Sequence, residues 1–157
     1  MTTPRSRRPR GVVDTSVLVA GISGFRSGIV SSSNPSAQLL RDWIERATFT
    51  WLLSEEILSE YKAVLRRLKV RRETIGALIN LLREEAELLS PGTKGSISSD
   101  PGDEPFCACA EAGDADFLVT LNPRDFPQGA LSTKVLAPGE PLPSGRMTPR
   151  KASRKQK

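Results

Sequence analysis

The 157-residue chain contains no histidine and only two cysteines, Cys107 and Cys109. Without imidazole, Ser-His-Asp and Cys-His catalysis are excluded, as are the common zinc sites, which need imidazoles or several thiolates. Residues at i and i+2 lie about 200° apart on a helix, so the two cysteines cannot easily bridge each other. They read as buried thiols in a reducing compartment. Long apolar runs are missing as well. None approaches the roughly 18 residues of a membrane helix, and no signal-peptide core follows the basic N-terminus. The expectation is a soluble, cytoplasmic protein with one domain, long enough to bury about 70% of its unfolded surface. Catalysis, if present, falls to carboxylates, which prefer hard cations such as Mg²⁺ or Mn²⁺.

Nucleotide motifs are also lacking. The chain has no P-loop lysine motif and no G-x-G-x-x-G. Ser16 stands where a haloacid-dehalogenase phosphatase would place its second aspartate, and Asp100-Pro-Gly-Asp lacks the alternating acids of an EF-hand.

The net charge of +5 is unevenly placed. Residues 1–10 hold four arginines, residues 144–157 hold six basic residues, and neither segment has an acid. Setting those ten aside leaves 13 basic against 18 acidic residues, a net −5 for residues 11–143. The composition predicts a globular domain over about 11–140 between disordered basic tails, 1–10 and 141–157. The tails either hold RNA phosphates loosely or are simply solvated.

Alternation of strand and helix signals runs through the domain. Gly11-Val12-Val13-Asp14 reads as a buried strand ending on an acid. Residues 15–22 either extend that strand or begin a short helix, and 23–33 read as a Gly/Ser loop. Asn34-Pro35 announces a helix over 35–46, and residues 48–53 a strand. Ser54 caps the next helix, with Glu55 and Glu56 in its first turn. Another helix covers about 72–86. Leu88-Leu89 is a brief strand, and a turn follows over 91–99. A helix over about 103–112 stops at Gly113. Residues 116–121 are a strand, 122–127 a loop, and 134–137 a last strand. This order predicts an α/β fold, a three-layer α/β/α sandwich with a mainly parallel central sheet. Such sheets carry their sites at the carboxyl ends of their strands.

Four acids fall at or near such ends. Asp14 ends the first strand, and its structural alternative is a helix cap. Glu60 lies three residues after Ile57 and four before Val64, at the edge of a buried stripe where an unpaired carboxylate is costly. Lys62 or Arg67 could pair with an acid on that helix. Asp103 starts a helix, where one acid is a cap by default, although Asp100 or Glu104 could serve. Asp125 lies in a strand-exit loop, where turns favour Asn and Asp anyway. Each signal is weak alone, and their convergence on one sheet edge is stronger. The stretch Arg66 to Arg72 is ordinarily a solvated face, with Arg66 and Arg67 as phosphate-contact alternatives.

Four blocks carry a resemblance. They are Val12-Val13-Asp14-Thr15-Ser16-Val17-Leu18, residues Leu53 to Tyr61, Asp100 to Ala110, and Ala115 to Phe126. In order and spacing they resemble the PIN-domain nucleases, and among them the VapC-like toxin components of bacterial toxin–antitoxin systems. The resemblance covers about residues 11–140. It implies an RNA-cleaving enzyme that holds one or two Mg²⁺ or Mn²⁺ ions, with Asp14, Glu60 and Asp103 on the first three acidic positions. The fourth block departs from one common form, since Leu121-Asn122 occupies the slot where an acid follows threonine-glycine. By the resemblance Asp125 supplies the last carboxylate, and Asn122 is a neutral ligand or orienting group. Ser16 and Thr120 hydroxyls would orient ligands, and Arg124 would compensate the acidic core toward RNA. An antitoxin protein that caps the acids with a basic side chain, and a homodimer, are the implied partners. The alternative is a catalytically weak PIN-like module that binds RNA or protein.

Overall fold

A computed structural model describes residues 8–26, 34–91, 102–126 and 131–145. Five strands form one sheet: β1 (Arg10–Val13), β2 (Thr50–Ser54), β3 (Glu87–Leu89), β4 (Phe117–Val119) and β5 (Lys134–Leu136). Their order is β3-β2-β1-β4-β5, and every neighbouring pair is parallel. The expected mainly parallel sheet is therefore parallel throughout. Five helices flank it: α1 (Thr15–Arg26), α2 (Pro35–Arg46), α3 (Glu55–Arg67), α4 (Arg72–Glu85) and α5 (Glu104–Ala112). The Trp51 ring meets Trp43 of α2, while Leu52 points toward Gly113 just after α5. Successive strand residues thus serve opposite layers.

Local chemistry explains the starts of two helices. The Asn34 side chain accepts a hydrogen bond from Ala37 N at 3.0 Å, with Pro35 at the first helical position. Ser54 Oγ accepts from Ile57 N at 3.2 Å. In each case a short polar side chain satisfies an orphan helical N–H. Residues 15–22 form a helix rather than more strand, and the helix continues to Arg26, so residues 23–26 are not loop. The glycines that suggested a loop have another use. A Cβ on Gly21 would lie 2.4 Å from Leu40, and one on Gly24 would lie 2.8 Å from Ala37. Both are close-approach positions where α1 packs on α2. The rest of the expected loop, 27–33, lies outside the described residues.

The chain has eight aromatic residues, and six of them link into one cluster. It runs from Trp43 and Phe49 through Trp51 and Phe117 to Tyr61 and Phe106, spanning the sheet from α2 to α5. Gly11 is required here, because a Cβ would sit 2.1 Å from the Phe117 ring. Tyr61, fully buried, donates from its hydroxyl to the Val13 carbonyl at 2.6 Å. The core therefore grips the backbone one residue before Asp14.

The described residues extend slightly past the expected domain boundaries. Arg10 is the first residue of β1, and Pro9 O accepts from Thr50 N at 2.8 Å. Leu142 packs against the core. The remaining tail residues, 1–7 and 146–157, lie outside the described residues, as does most of the expected 91–99 turn.

Candidate metal centre

Asp14 stands where β1 ends and α1 begins. Its backbone N–H donates to Val119 O at 2.9 Å, which pins it between two adjacent strand ends. Its carbonyl, rather than its carboxylate, accepts from Val17 N at 3.0 Å and so opens the helix. The carboxylate is spent elsewhere. Oδ2 accepts from Ser16 Oγ at 2.7 Å and from Thr120 Oγ1 at 2.8 Å. Each hydroxyl in turn accepts a backbone N–H: Leu121 N to Ser16 Oγ at 3.2 Å, and Asn122 N to Thr120 Oγ1 at 3.1 Å. An N–H cannot accept, so each hydroxyl's single proton is committed to Asp14. Both bonds fall on Oδ2, and Oδ1 takes no part in this net.

Glu60 joins through Thr15. The Thr15 hydroxyl donates to Glu60 Oε2 at 3.2 Å, linking α3 to the residue after Asp14. Neither Lys62 nor Arg67 neutralises Glu60, and the helix's acid–base pair is Glu55 with Arg83 of α4 at 2.9 Å. Among the described residues no arginine or lysine forms a salt bridge with Asp14 or Glu60.

Asp103 occupies the N-cap position of α5, but its carboxylate does not cap the helix. Its carbonyl accepts from Phe106 N and Cys107 N, both at 3.1 Å. Its field, however, reaches the same neighbourhood as Asp14. Burial pushes the Cys107 thiol up to about 12, and Glu104, Asp103, Glu111 and Asp14 add to the rise in that order. Burial raises the Tyr61 hydroxyl well above its ordinary value; the Trp51 indole opposes this, and Cys109, Asp14 and Glu60 add to it. Asp14 acts on both groups, alongside Glu60 at Tyr61 and alongside Glu104, Asp103 and Glu111 at Cys107.

The remaining candidates are looser. Asn122 enters through its backbone N–H. Asp125 is exposed on a short 3₁₀ turn, Pro123–Asp125, where its N–H donates to Asn122 O at 3.0 Å. Arg124 lies beside it on the same turn. Arg66 and Arg67 are exposed in the last turn of α3. Among the described residues, no three histidine, cysteine or acidic side chains stand close enough to hold one ion. Three contributors escaped the sequence reading of the site: Thr15, which bridges to Glu60; Tyr61, which holds the Val13 carbonyl; and Glu104, which shares the Asp103 field. Thr15 had a signal in its adjacency to Asp14. The other two depended on tertiary packing.

Comparison with known proteins gives structural likenesses and a family. A chain in the crystal structure of VapBC2 from Rickettsia felis, bound to a DNA fragment from their promoter, is similar with a TM-score of 0.49 and 14% sequence identity. The alignment covers 81% of this chain and 96% of that one. No curated protein sequence matches. The family described as PIN domain matches residues 10–124, from the first residue of β1 to the turn beyond β4. That span takes in Asp14, Glu60, Asp103 and the hydroxyls around them, and the chain belongs to the PIN domain family.

Proposed function

We propose that this PIN-domain protein is a divalent-metal-dependent endoribonuclease of the cytoplasm, the toxin of a toxin–antitoxin pair. The observation that carries the reading is the Asp14 carboxylate. It stands at the carboxyl edge of a parallel sheet, where such folds place their sites. Two hydroxyls hold it by one oxygen, and no cation among the described residues pairs with it.

The donors suit a hard ion. All are oxygens, and Mg²⁺ is commonly held by one or two carboxylates with waters completing the shell. Asp14 and Glu60 would hold Mg²⁺ or Mn²⁺, with Asp103 and Asp125 as further carboxylates and Asn122 as a neutral donor. When bound, the ion supplies charge neutralisation for the scissile phosphate and acidifies a water. The chain's own residues do the positioning. Ser16 and Thr120 fix the Asp14 rotamer, Thr15 fixes Glu60, and Tyr61 steadies the strand end beneath them. Arg124, on the turn beside Asp125, would meet RNA phosphate. An antitoxin would silence the enzyme by setting a basic side chain among these acids, and a homodimer is the proposed assembly.

A second reading, a catalytically weak PIN-like module that binds RNA or protein, is favoured by one observation. No three acids among the described residues are gathered tightly enough to hold an ion. Titrating Mn²⁺ against RNA cleavage separates the two. The nuclease reading expects activity that rises with Mn²⁺ and falls by more than about a hundredfold in Asp14→Asn, beyond the 10–100-fold typical of outer-shell changes. Metal-independent RNA binding without cleavage would establish the second reading.

A further inference from the structure

The α3–α4 corner carries a second surface that the acids do not use. Lys62 and Arg66 are one turn apart on α3, and Arg72 opens α4. With Asn80 they rim a groove of about 400 Å³ whose floor is Val70, Ile75 and Ile79. Among the described residues, none of Lys62, Arg66 and Arg72 forms a salt bridge. Lys62 and Glu60 differ by about 200° around α3, so this rim and the acidic site occupy different faces of the same helix.

Gly76 lies in the groove, exposed and in the middle of α4. An exposed glycine inside a helix costs about 1 kcal/mol relative to alanine. The other helical glycines have a packing reason within the chain: a Cβ at Gly21 or Gly24 would collide with α2 or Asn34. At Gly76 a Cβ would meet nothing within 4 Å. Nothing among the described residues therefore requires glycine here, and the missing side chain leaves room for another backbone to come close to α4.

We infer that this groove docks an acidic amphipathic helix of a partner protein, with carboxylates on Lys62, Arg66 and Arg72 and aliphatic side chains on the Val70–Ile75–Ile79 floor. Charge complementarity sets the sign of the occupant. The aliphatic floor sets its class, because an amphipathic helix lays its apolar face into such a groove, and the bare Cα of Gly76 leaves room for close approach. Single-stranded RNA is disfavoured, since such sites stack bases on aromatic rings, and no aromatic side chain lines this groove. The inference stands independently of the nuclease reading.

The test uses the full chain with Asp14→Asn and two labelled probes. One is a synthetic helical peptide with Glu and Leu at i, i+3, i+4 and i+7, and the other a single-stranded RNA of equal charge. The peptide is expected to bind the parent protein and to lose about tenfold in affinity with Arg66→Glu, as expected when a partner charge is reversed. Gly76→Leu should weaken the peptide about equally while leaving RNA affinity unchanged. Gly76→Ala should raise the melting temperature, which shows that the position is not needed for folding. No peptide binding, or peptide affinity unchanged from the parent in both Arg66→Glu and Gly76→Leu, overturns the inference. Parallel loss of RNA affinity in Gly76→Leu overturns it too, and gives the groove to nucleic acid.

Discussion

The two edges of this sheet hold acids in opposite ways. At the amino edge, Arg10 makes a two-point contact with Glu87, both bonds at 3.0 Å, and its Nε donates to Gly113 O at 2.9 Å. Its backbone N–H donates to Asp116 Oδ2 at 2.8 Å. One residue thus ties β1 to β3, to the end of α5 and to the start of β4. At the carboxyl edge, Asp14 and Glu60 receive hydroxyl protons and no guanidinium. Hydroxyls orient a carboxylate without neutralising it. The difference separates acids paired with an arginine from acids held by hydroxyls alone, and the latter are the ones proposed above to meet a cation. The two cysteines register it. Beyond burial, Glu104, Asp103 and Asp14 raise Cys107, whereas Arg10 opposes and Glu87 adds at Cys109.

The largest expected effect is a double dissociation between the edges. Asp14→Asn should cost more than about a hundredfold in Mn²⁺-dependent cleavage. Its apo melting temperature should stay level or rise, because one charge leaves a group of like charges. Arg10→Ala should do the reverse. Losing a partly exposed ion pair and orphaning the Gly113 carbonyl should cost about 2 kcal/mol. For a domain of this size that lowers the melting temperature by roughly 4–8 °C, while the Mn²⁺ midpoint for cleavage stays put. Should Arg10→Ala shift the midpoint as much as Asp14→Asn, the two edges are not functionally distinct.

A smaller effect concerns alkaline stability. Both thiols are buried and raised to about 12 in the fold, whereas an unfolded cysteine titrates near about 8.5. For a group whose folded value is raised, the contribution is intact below the unfolded value and is lost as pH climbs toward the folded one. Between about pH 8.5 and 12 each thiol should therefore lower stability as pH rises, by at most about 1.4 kcal/mol per pH unit. Thermal melts of wild type and Cys107→Ala across pH 8–11 check this, and equal slopes would show that Cys107 is not protected.

The sequence exposes the fold well and the site partly, for one physical reason. Periodicity and caps are local, so Asn34, Ser54 and the apolar strands were legible. Asp14 was legible too, since an acid closing an apolar strand marks a carboxyl edge. The α1 helix was harder, because Gly21 and Gly24 look like loop residues until α2 is packed against them. The role of Arg10 was hidden entirely: its three partners lie 77 to 106 residues away, and by composition it belonged to a basic tail. Asp103 looked like a cap because position suggests one, yet its carbonyl does that work.

The smallest expected effect concerns the tails, of which Arg10 is not a part. Arg8 Nη1 donates to Ala47 O at 3.2 Å, Arg10 clamps the amino edge, and Leu142 packs on the core. A trimmed protein that keeps the fold is therefore residues 8–145. It removes Arg5, Arg7 and the six basic residues between 146 and 157, and leaves a body of 15 basic and 18 acidic residues. If the tails grip RNA phosphates, the trimmed protein in an Asp14→Asn background should bind RNA more weakly and with a shallower salt dependence. Each phosphate that the trimmed protein no longer engages should reduce the log–log slope by about 0.7 for a single strand. Cleavage by the trimmed protein with Asp14 intact should persist at saturating RNA, because every proposed metal donor remains. Identical slopes before and after trimming would make the tails spectators and move phosphate binding onto the folded body, beginning with Arg124 beside the acidic edge.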